Sequence, residues 1–192
     1  MNRPGAEQSI IAAGHVVPPK SDSSDLAIES MNQILGGSFT ARMNMNLRAD
    51  KSWSYGARTL LLDAAAQRPW LAFAPVQSDR TADSMAEIQK EIVQIRGEVP
   101  PTDAELAKIK DQRTLTLPGR WQTNGAVVGD LAEIVRFDLP DDHWDNYADQ
   151  VRSLSLDDVS QQAERVLDPN GLIWVVVGDR ARIEDDIKAL LA

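Results

Sequence analysis

Hydrophobic and polar positions recur along the chain with two periods, and each period predicts a type of secondary structure. Short runs rich in apolar and β-branched residues, bounded by proline, glycine or polar turn residues, predict strands at Gln8–Val17, Ser54–Asp63, Trp70–Gln77 and Leu172–Val177. The second and third runs flank a polar turn at Gln67–Pro69, which predicts a hairpin. Because the fourth run is apolar throughout, we expect a central strand that is covered on both faces.

The segments between these runs carry apolar residues three and four positions apart, which is the spacing of an amphipathic helix. Gly36 and Gly37 supply a stop for the first helix, and Thr102 with Glu105 forms a capping box at the start of another. Helices are predicted at Asp22–Gly36, through Phe39, Met43 and Leu47, at Thr81–Arg96, from Thr102 to about Leu117, at Trp121–Arg136, at Asp141–Val151, from Ser155 to Leu167 and at Arg182–Leu191.

The order of these elements is a strand, two helices, a strand pair, several helices, a strand and a helix, which predicts an α+β fold. We expect a single mixed or antiparallel sheet with helices packed against it. The 192 residues and the 43% hydrophobic content are sufficient for one core, so residues 1–192 are interpreted as one domain.

The charge balance narrows the classes of partner. The chain has 29 acidic and 20 basic side chains and a formal net charge of -9 at pH 7. Such a field repels phosphate backbones and anionic lipid head groups, so nucleic acid is not an expected partner. No apolar run approaches the roughly 20 residues of a membrane-spanning helix. The absence of cysteine excludes thiolate metal sites and a cysteine nucleophile, but it leaves the cellular compartment open.

The two histidines lie outside any sequence motif for a zinc site. His15 is followed by Val-Val-Pro-Pro and His143 by Trp-Asp-Asn-Tyr, so neither H-E-x-x-H nor H-x-x-E-H occurs. We interpret both as strand-end or surface imidazoles. We therefore expect no metal site, no bound cofactor and no catalytic residue in this chain.

The stretch from Asn32 to Ala57 carries the most specific motifs. It contains Leu35-Gly36-Gly37, Arg42, Leu47-Arg48 and Ser54-Tyr55-Gly56 in this order. This order resembles the carboxy-terminal, zinc-free half-domain of the insulinase/pitrilysin family of metallopeptidases. There a helix ends in Leu-Gly-Gly, the next helix bears an Arg, and a Leu-Arg pair precedes a Ser-Tyr-Gly. Further matches extend the resemblance over essentially the whole chain, at Pro4–Ser9, Thr102–Lys110, Leu154–Val159 and Val175–Asp179.

The resemblance implies that Arg48 and Tyr55 bind substrate. In the family, an Arg and a Tyr at these places reach into the active site of a separate half that bears the inverted zinc motif H-x-x-E-H. A guanidinium and a phenol hydroxyl are both donors that can hold a peptide carbonyl and stabilise negative charge on it. The alternative is that Arg48 is a surface residue in an ion pair and that Tyr55 packs its ring in the core. Arg42 is interpreted as a structural contact beside the glycine turn.

The resemblance also implies that this chain works only together with a partner. Zinc would be held by the histidine-bearing half, the substrate would be a peptide or small protein, and the isolated chain would cleave nothing. The segments Lys51–Ala57 and Ala74–Gln77 are most similar to large bacterial members with two such units in one polypeptide. We therefore interpret the chain as a fragment of a longer protein, with a periplasmic or secreted parent favoured and a cytoplasmic one still open.

Departures from the family pattern leave other functions open. Ala49-Asp50 replaces the acidic residue that often follows the Leu-Arg pair, and Trp53 is larger than its counterpart in many relatives, so the subsite is expected to differ. The main alternative is a structural or interaction module, like the non-peptidase core subunits of the respiratory bc complex. A third is a stand-alone ligand-binding domain. Loss of a partner would uncover apolar surface, so the chain could form a homo-oligomer through that face or through an edge strand.

Overall fold

The computed structural model describes residues 1–191, and within them it contains one four-stranded antiparallel sheet. The strand order is β2-β3-β1-β4, so β1 and β3 are central and β2 and β4 form the edges. The register places Ala13 of β1 opposite Ala72 of β3 and Trp174 of β4. The strands are β1 Gln8–Val17, β2 Arg58–Leu61, β3 Arg68–Gln77 and β4 Ile173–Val177.

Helices occupy most of the remaining chain and confirm the predicted α+β class. No helix within residues 1–191 combines the length and the apolar character that crossing a membrane requires. Two helices continue as wider π-helical turns, at Gln33–Gly37 and Met45–Asp50, and a 3-10 turn at Ser78–Arg80 leads into another. The helices are α1 Asp25–Asn32, α2 Arg42–Asn44, α3 Thr81–Ile95, α4 Asp103–Leu115, α5 Leu117–Arg120, α6 Asn124–Phe137, α7 His143–Ser153, α8 Leu156–Val166 and α9 Arg180–Leu191.

The core lies on one face of the sheet, where alternate strand residues meet the apolar sides of α1, α3, α4 and α8. Trp70 of β3 is fully buried there, and its indole Nε1 donates to Oδ1 of Asn32 at 2.9 Å. Full burial of a large apolar side chain contributes roughly 1.5 to 3 kcal/mol, so this layer dominates the stability of the fold. Fully buried members of the layer include Ile11, Ile28, Met31, Leu35, Ala74, Val76, Met85, Ile88 and Val159.

The prediction that Leu172–Val177 is a central strand covered on both faces is wrong. β4 pairs with β1 alone and is an edge strand. Trp174 and Val176 pack against the core, whereas Ile173 and Val175 face outward and are 72% and 47% exposed. The run is apolar on both sides because the residues beside its outward positions, such as Ala12 and Phe73, are apolar too. The local sequence pattern does not distinguish such a patch from burial.

Several other boundaries differ from the sequence prediction. β3 begins at Arg68, inside the predicted turn Gln67–Pro69, and α1 and α6 begin at Asp25 and Asn124, three residues later than predicted. The predicted strand Ser54–Asp63 is shortened to Arg58–Leu61, with only an isolated bridge between Ser54 and Val76. Phe39, expected inside a helix, lies before α2 and is exposed. The gap between the helices predicted to end at about Leu117 and to begin at Trp121 is occupied by the short helix α5, because proline is tolerated in a first helical turn. The capping box of Thr102 and Glu105 is confirmed at the start of α4.

Six charged side chains form a cluster beneath α5, α6 and α7, here called the ion cluster. Lys20 contacts Glu29 at 2.5 Å and Asp25 at 3.1 Å. Arg68, which is 0% exposed, pairs with Asp25 and, at 2.6 Å, with Asp63. Arg113 of α4 reaches Glu29 at 2.6 Å. The members are Lys20, Asp25, Glu29, Asp63, Arg68 and Arg113.

The two inner carboxylates of the ion cluster respond to burial in opposite directions. Burial raises the pKa of Asp25 to about 6, and repulsion from Glu29 adds to the shift although Lys20 and Arg68 oppose it. Burial also acts to raise the pKa of Glu29, but the charges of Arg113 and Lys20 outweigh it and lower that pKa to about 2. Glu29 is therefore the carboxylate that the surrounding cations hold most firmly in its ionised form.

Candidate functional site

The glycine turn after α1 brings that helix against β2. A Cβ added to Gly36 would lie 2.7 Å from the backbone nitrogen of Thr59, a distance that no side chain could occupy. The hydroxyl of Thr59 donates in turn to the carbonyl of Asn32 at 3.2 Å. Glycine at this position therefore permits the close approach that sets α2 beside the start of β2.

Asn44 fixes the two segments that flank α2. Its buried amide donates through Nδ2 to the carbonyl of Phe39 at 2.6 Å and accepts through Oδ1 from the amide of Ala57 at 3.0 Å. One side chain therefore joins the residue before α2 to the residue before β2. Arg48 lies one helical turn after Asn44. The two hydrogen bonds of Asn44 therefore also fix the position from which the side chain of Arg48 extends.

The segment Lys51–Gly56 is held in place by hydrogen bonds of its backbone and of Ser54. The amides of Trp53 and Ser54 both donate to the carbonyl of Leu47, at 3.0 and 3.2 Å. The hydroxyl of Ser54 donates to the carbonyl of Pro75 at 2.6 Å and accepts from the amide of Gly56 at 3.0 Å. These bonds replace the strand pairing that was predicted here, and they leave the side chain of Tyr55 88% exposed.

Arg48 and Tyr55 line one surface cavity of about 530 Å³. The guanidinium of Arg48 stacks over the exposed ring of Phe39, 4.5 Å from its centroid. Within the described chain, Arg48 has no hydrogen bond or ion pair that would occupy its donors. The alternatives in which Arg48 is held in an ion pair and Tyr55 packs in the core therefore do not match the geometry. The cavity is lined by Gln8, Arg48, Ala49, Ser52, Trp53, Ser54, Tyr55 and Gln77.

The lining of the cavity carries one positive charge and no negative charge among its described residues, although the whole chain is acidic. Among its lining residues in the described structure, Arg48 is the only one that carries a charge. Lys51 and Arg80 lie 5.3 and 5.7 Å from the centre of the Trp53 ring, and each is also paired with a carboxylate outside the cavity. An arginine, a tyrosine hydroxyl and two glutamine amides thus face a space that suits an oxygen-rich, neutral or anionic group such as a peptide carbonyl.

Arg42 belongs to the scaffold and not to the cavity. Its guanidinium forms two bonds of 2.6 Å to the carboxylate of Glu105 and donates to the carbonyls of Val99 and Pro100. Burial acts to raise the pKa of Glu105, but the hydrogen bonds from Arg42 and Thr102 outweigh it and lower that pKa. Arg42 therefore ties α2 to the capped start of α4, a structural role different from the expected contact at the glycine turn.

Neither histidine is placed for metal binding. His15 stacks on Trp70 with ring centroids 5.4 Å apart, and its Nε2 accepts from the amide of Asp168 at 3.3 Å. His143 packs edge-on against Trp144 at 4.8 Å, and burial is the main cause that lowers its pKa. In residues 1–191 no three side chains from His, Cys, Asp and Glu come together in a way that could hold a metal ion.

The structure brings Arg48 and Tyr55, which were selected from the sequence, to a common cavity. It also adds two residues that the sequence reasoning missed. Phe39 was assigned to a helix stripe, and Asn44 was not considered. The role of Asn44 could not be predicted from the sequence, apart from its position one helical turn before Arg48. Its partners Phe39 and Ala57 come next to it only in the folded chain.

Comparison with known proteins identifies the domain. The family model described as the peptidase M16 inactive domain matches residues 1–113. This match contains the whole cavity and ends within α4. A search of the curated proteins finds no match.

Solved structures extend the similarity beyond residue 113 at the level of the fold. The peptidase M16 inactive domain from Pseudomonas fluorescens superposes with a TM-score of 0.85 at 20% identity, covering 93% of this chain and 42% of that one. A protease from Helicobacter pylori gives 0.82 at 18% identity, covering 92% and 43%. The periplasmic protease PqqL from Escherichia coli gives 0.77 at 12% identity, covering 92% and 20%. The chain thus spans less than half the length of these three proteins.

Proposed function

Because the chain belongs to the family of peptidase M16 inactive domains, we propose that it is the substrate-binding half of a zinc endopeptidase, with Arg48 and Tyr55 as the residues that contact the peptide. The single observation that carries this proposal is the shared cavity in which both side chains are exposed and have no hydrogen-bond or ion-pair partner within the described chain. Residues that serve the fold alone, such as Arg42, have their donors occupied.

The chemistry required of such a half is binding and charge stabilisation. Attack of water on a peptide carbonyl places negative charge on the carbonyl oxygen, and a zinc ion alone stabilises that charge incompletely. The guanidinium of Arg48 and the hydroxyl of Tyr55 are donors suited to this oxygen or to the neighbouring carbonyl. The stack of Arg48 on Phe39 restricts the guanidinium to one side of the cavity.

The proposed partner supplies what this chain lacks. A half-domain with H-x-x-E-H would hold the zinc ion and the general base, and the two halves would enclose a peptide or small protein between them. The lengths of the relatives support such an arrangement, since each has more than half of its chain outside the matched region. On this proposal the isolated chain hydrolyses no peptide.

The deciding experiment removes one donor at a time from the chain when it is combined with its zinc-bearing half. Tyr55→Phe deletes the hydroxyl and keeps the ring, and Arg48→Ala deletes the guanidinium. Each is expected to lower kcat/KM for an unstructured peptide about 100- to 1000-fold. Tyr147→Phe is the matched control, because Tyr147 lies near Arg113 in another part of the molecule, and it should keep wild-type turnover.

The result that contradicts the proposal is wild-type kcat/KM for both Tyr55→Phe and Arg48→Ala in folded protein. That outcome would favour the other candidate, a non-catalytic interaction module of the same fold. One structural neighbour supports keeping this second candidate, since a chain of "Complex III2 from Candida albicans" superposes with a TM-score of 0.73 at 13% identity.

A further inference from the structure

A second cavity, of about 470 Å³, adjoins the first, and Tyr55 lines both. Phe39 also connects them, since it lines the second cavity and stacks with Arg48 of the first. On the side of the sheet, the second cavity is lined by Arg58 of β2 and Phe73 of β3. The two cavities therefore form one continuous surface around Tyr55 and Phe39.

Strand β3 runs along both cavities. Its side chains alternate between the core and the outward face of the sheet, so Gln77, Pro75 and Phe73 share the outward face. Gln77 lines the first cavity, whereas Pro75 and Phe73 line the second. The register places Arg58 directly opposite Phe73. Gln77 and Phe73 are four positions apart in β3, which is about 13 Å, and an extended peptide covers that distance in about four residues.

Arg58 is the charged residue of the second cavity. It is exposed, and its guanidinium lies 5.3 Å from the centroid of the Phe73 ring. Within residues 1–191 it has no ion pair and no side-chain hydrogen bond, and neither cavity has a carboxylate among its described lining residues. Contact with a ring occupies none of the N–H donors of a guanidinium, so these donors stay free to bind an acceptor.

The absence of a partner is unusual for an arginine in this chain. Acidic side chains outnumber basic ones by 29 to 20, and most arginines form an ion pair with an aspartate or a glutamate. In the described structure Arg48 and Arg58 form none, and each contacts a phenylalanine instead. The arginines that line the two cavities are thus both available to an anionic group from outside the chain.

We propose that the second cavity binds a carboxylate of the substrate peptide and that Arg58 is the residue that selects it. This role of Arg58 rests on the proposed function, because it assumes a peptide whose carbonyl is held by Arg48 and Tyr55. The carboxylate belongs either to an acidic side chain or to the C-terminus of the peptide, about four residues from that carbonyl. A guanidinium and a carboxylate form short, charge-assisted hydrogen bonds, and the ring of Phe73 is placed to contact the methylene groups of an acidic side chain.

The test compares kcat/KM for peptides that differ in one charge, with the chain combined with its zinc-bearing half. Each position of a neutral peptide is set in turn to glutamine or glutamate, on both sides of the cleaved bond. Wild type is expected to prefer glutamate about 10-fold at one position roughly four residues from that bond, the effect of a charge-assisted hydrogen bond. Glutamate elsewhere should bring no gain, because the net charge of -9 repels an anionic peptide. A peptide that ends at the preferred position, with a free or an amidated C-terminus, distinguishes a terminal carboxylate from one on a side chain.

Substitutions at Arg58 assign the preference to this residue. Arg58→Gln should abolish the preference for glutamate, and Arg58→Lys, which keeps the charge, should retain part of it. Arg136→Gln is the matched control and should keep the wild-type preference. Arg136 is also exposed, lies 5.0 Å from the centroid of the Phe137 ring and forms no ion pair in the described structure, but it lines neither cavity.

Two further measurements separate this role of Arg58 from the proposed function. Tyr55→Phe should lower kcat/KM for the glutamate and glutamine peptides equally and leave the preference intact. Binding of the same peptides after removal of zinc, measured by fluorescence anisotropy, gives the preference without turnover. Equal affinity of wild type for the glutamate and glutamine peptides at every position overturns the inference, as does a preference that persists in Arg58→Gln. Wild-type turnover in Tyr55→Phe, together with a preference that Arg58→Gln abolishes, would contradict the proposed function alone.

Discussion

In the ion cluster, six charged side chains direct their hydrogen bonds at one another, whereas in the cavity Arg48 and Tyr55 direct theirs at solvent. Arg68 is fully buried between two carboxylates, while Tyr55 is 88% exposed. The local sequences are similar, since Lys20 stands in Lys-Ser-Asp and Arg48 in Arg-Ala-Asp. Only the folded structure separates the charges that stabilise the protein from those that are free to bind.

The difference gives each region a distinct response to mutation. Removing one partner from a buried pair leaves the other charge desolvated and unpaired, which costs far more than the pair contributed. Removing an exposed donor with no partner costs the fold almost nothing. Stability and binding should therefore be separable in this chain, and the following predictions test that separation.

The largest expected effect is on the ion cluster. Arg68→Ala removes the cation shared by Asp25 and Asp63, and it should lower the free energy of unfolding by about 3 to 5 kcal/mol. Urea titration followed by circular dichroism measures this. Arg165→Ala breaks the more exposed pair with Asp22 and should cost less than about 1 kcal/mol. Equal losses for the two variants would mean that the ion cluster is not structural.

A smaller effect is expected on the stability of the fold at acidic pH, where Glu29 becomes protonated. Its pKa is lowered to about 2 in the folded chain from an ordinary value of 4.5. The stabilisation is therefore present above pH 4.5 and is lost as the pH falls from there to about 2. Asp25 acts with the opposite sign, because its raised pKa of about 6 makes its ionisation oppose folding as the pH rises from 3.8 to 6.

Glu29→Gln should remove on the order of 2 to 3 kcal/mol of the stability difference between pH 5 and pH 2. Unfolding free energies of wild type and variant at several pH values in this range provide the measurement. Glu184→Gln is the matched control, since Glu184 also has its pKa lowered to about 2 but by exposed partners. The pH dependence of the unfolding free energy of Glu184→Gln should stay close to that of wild type. Any remaining difference between the two should disappear at high salt concentration, because salt screens exposed charges. If the unfolding free energies of Glu29→Gln and wild type changed in parallel with pH, the lowered pKa of Glu29 would be contradicted.

The smallest expected effect lies at the cavity. Tyr55→Phe should change the free energy of unfolding by no more than about 0.5 kcal/mol, because the hydroxyl has no partner within the described residues. Arg48→Ala should cost at most about 1 kcal/mol, the value of its exposed stack on Phe39. Thermal unfolding of both variants checks this. A loss of several kcal/mol from either would show that the side chain serves the fold.

Much of the fold could be predicted from the periodicity of apolar residues. The main errors of that prediction concern which side of an element faces the core. The strand pair, α4 with its capping box and the α+β class follow from local spacing alone. The placement of β4 at an edge does not follow from it, because the sequence pattern is the same whether an apolar residue faces the core or the outward side of the sheet. Helix α6 has the same ambiguity, since its stripe was visible in the sequence but the side that faces inward was not.

The candidate site could be predicted only in part. Arg48 and Tyr55 were selected because they match motifs of a known family, and the family assignment is confirmed. Their role in substrate binding stays a prediction. The residues that hold the cavity in place could not be predicted, because Asn44 and Ser54 bind partners 13 and 21 residues away in the sequence. Such contacts leave no periodic signal.

The two hydrogen bonds of Asn44 have a consequence for the entropy of binding. Because one buried side chain holds the backbone on both sides of α2, the segments that carry Phe39 and Tyr55 are ordered during folding, before any peptide arrives. Fixing the backbone of a residue costs roughly 1 to 2 kcal/mol at 25 °C. A peptide that enters the cavity would therefore meet a preorganised backbone, and the freedom lost on binding would be mainly that of a few exposed side chains.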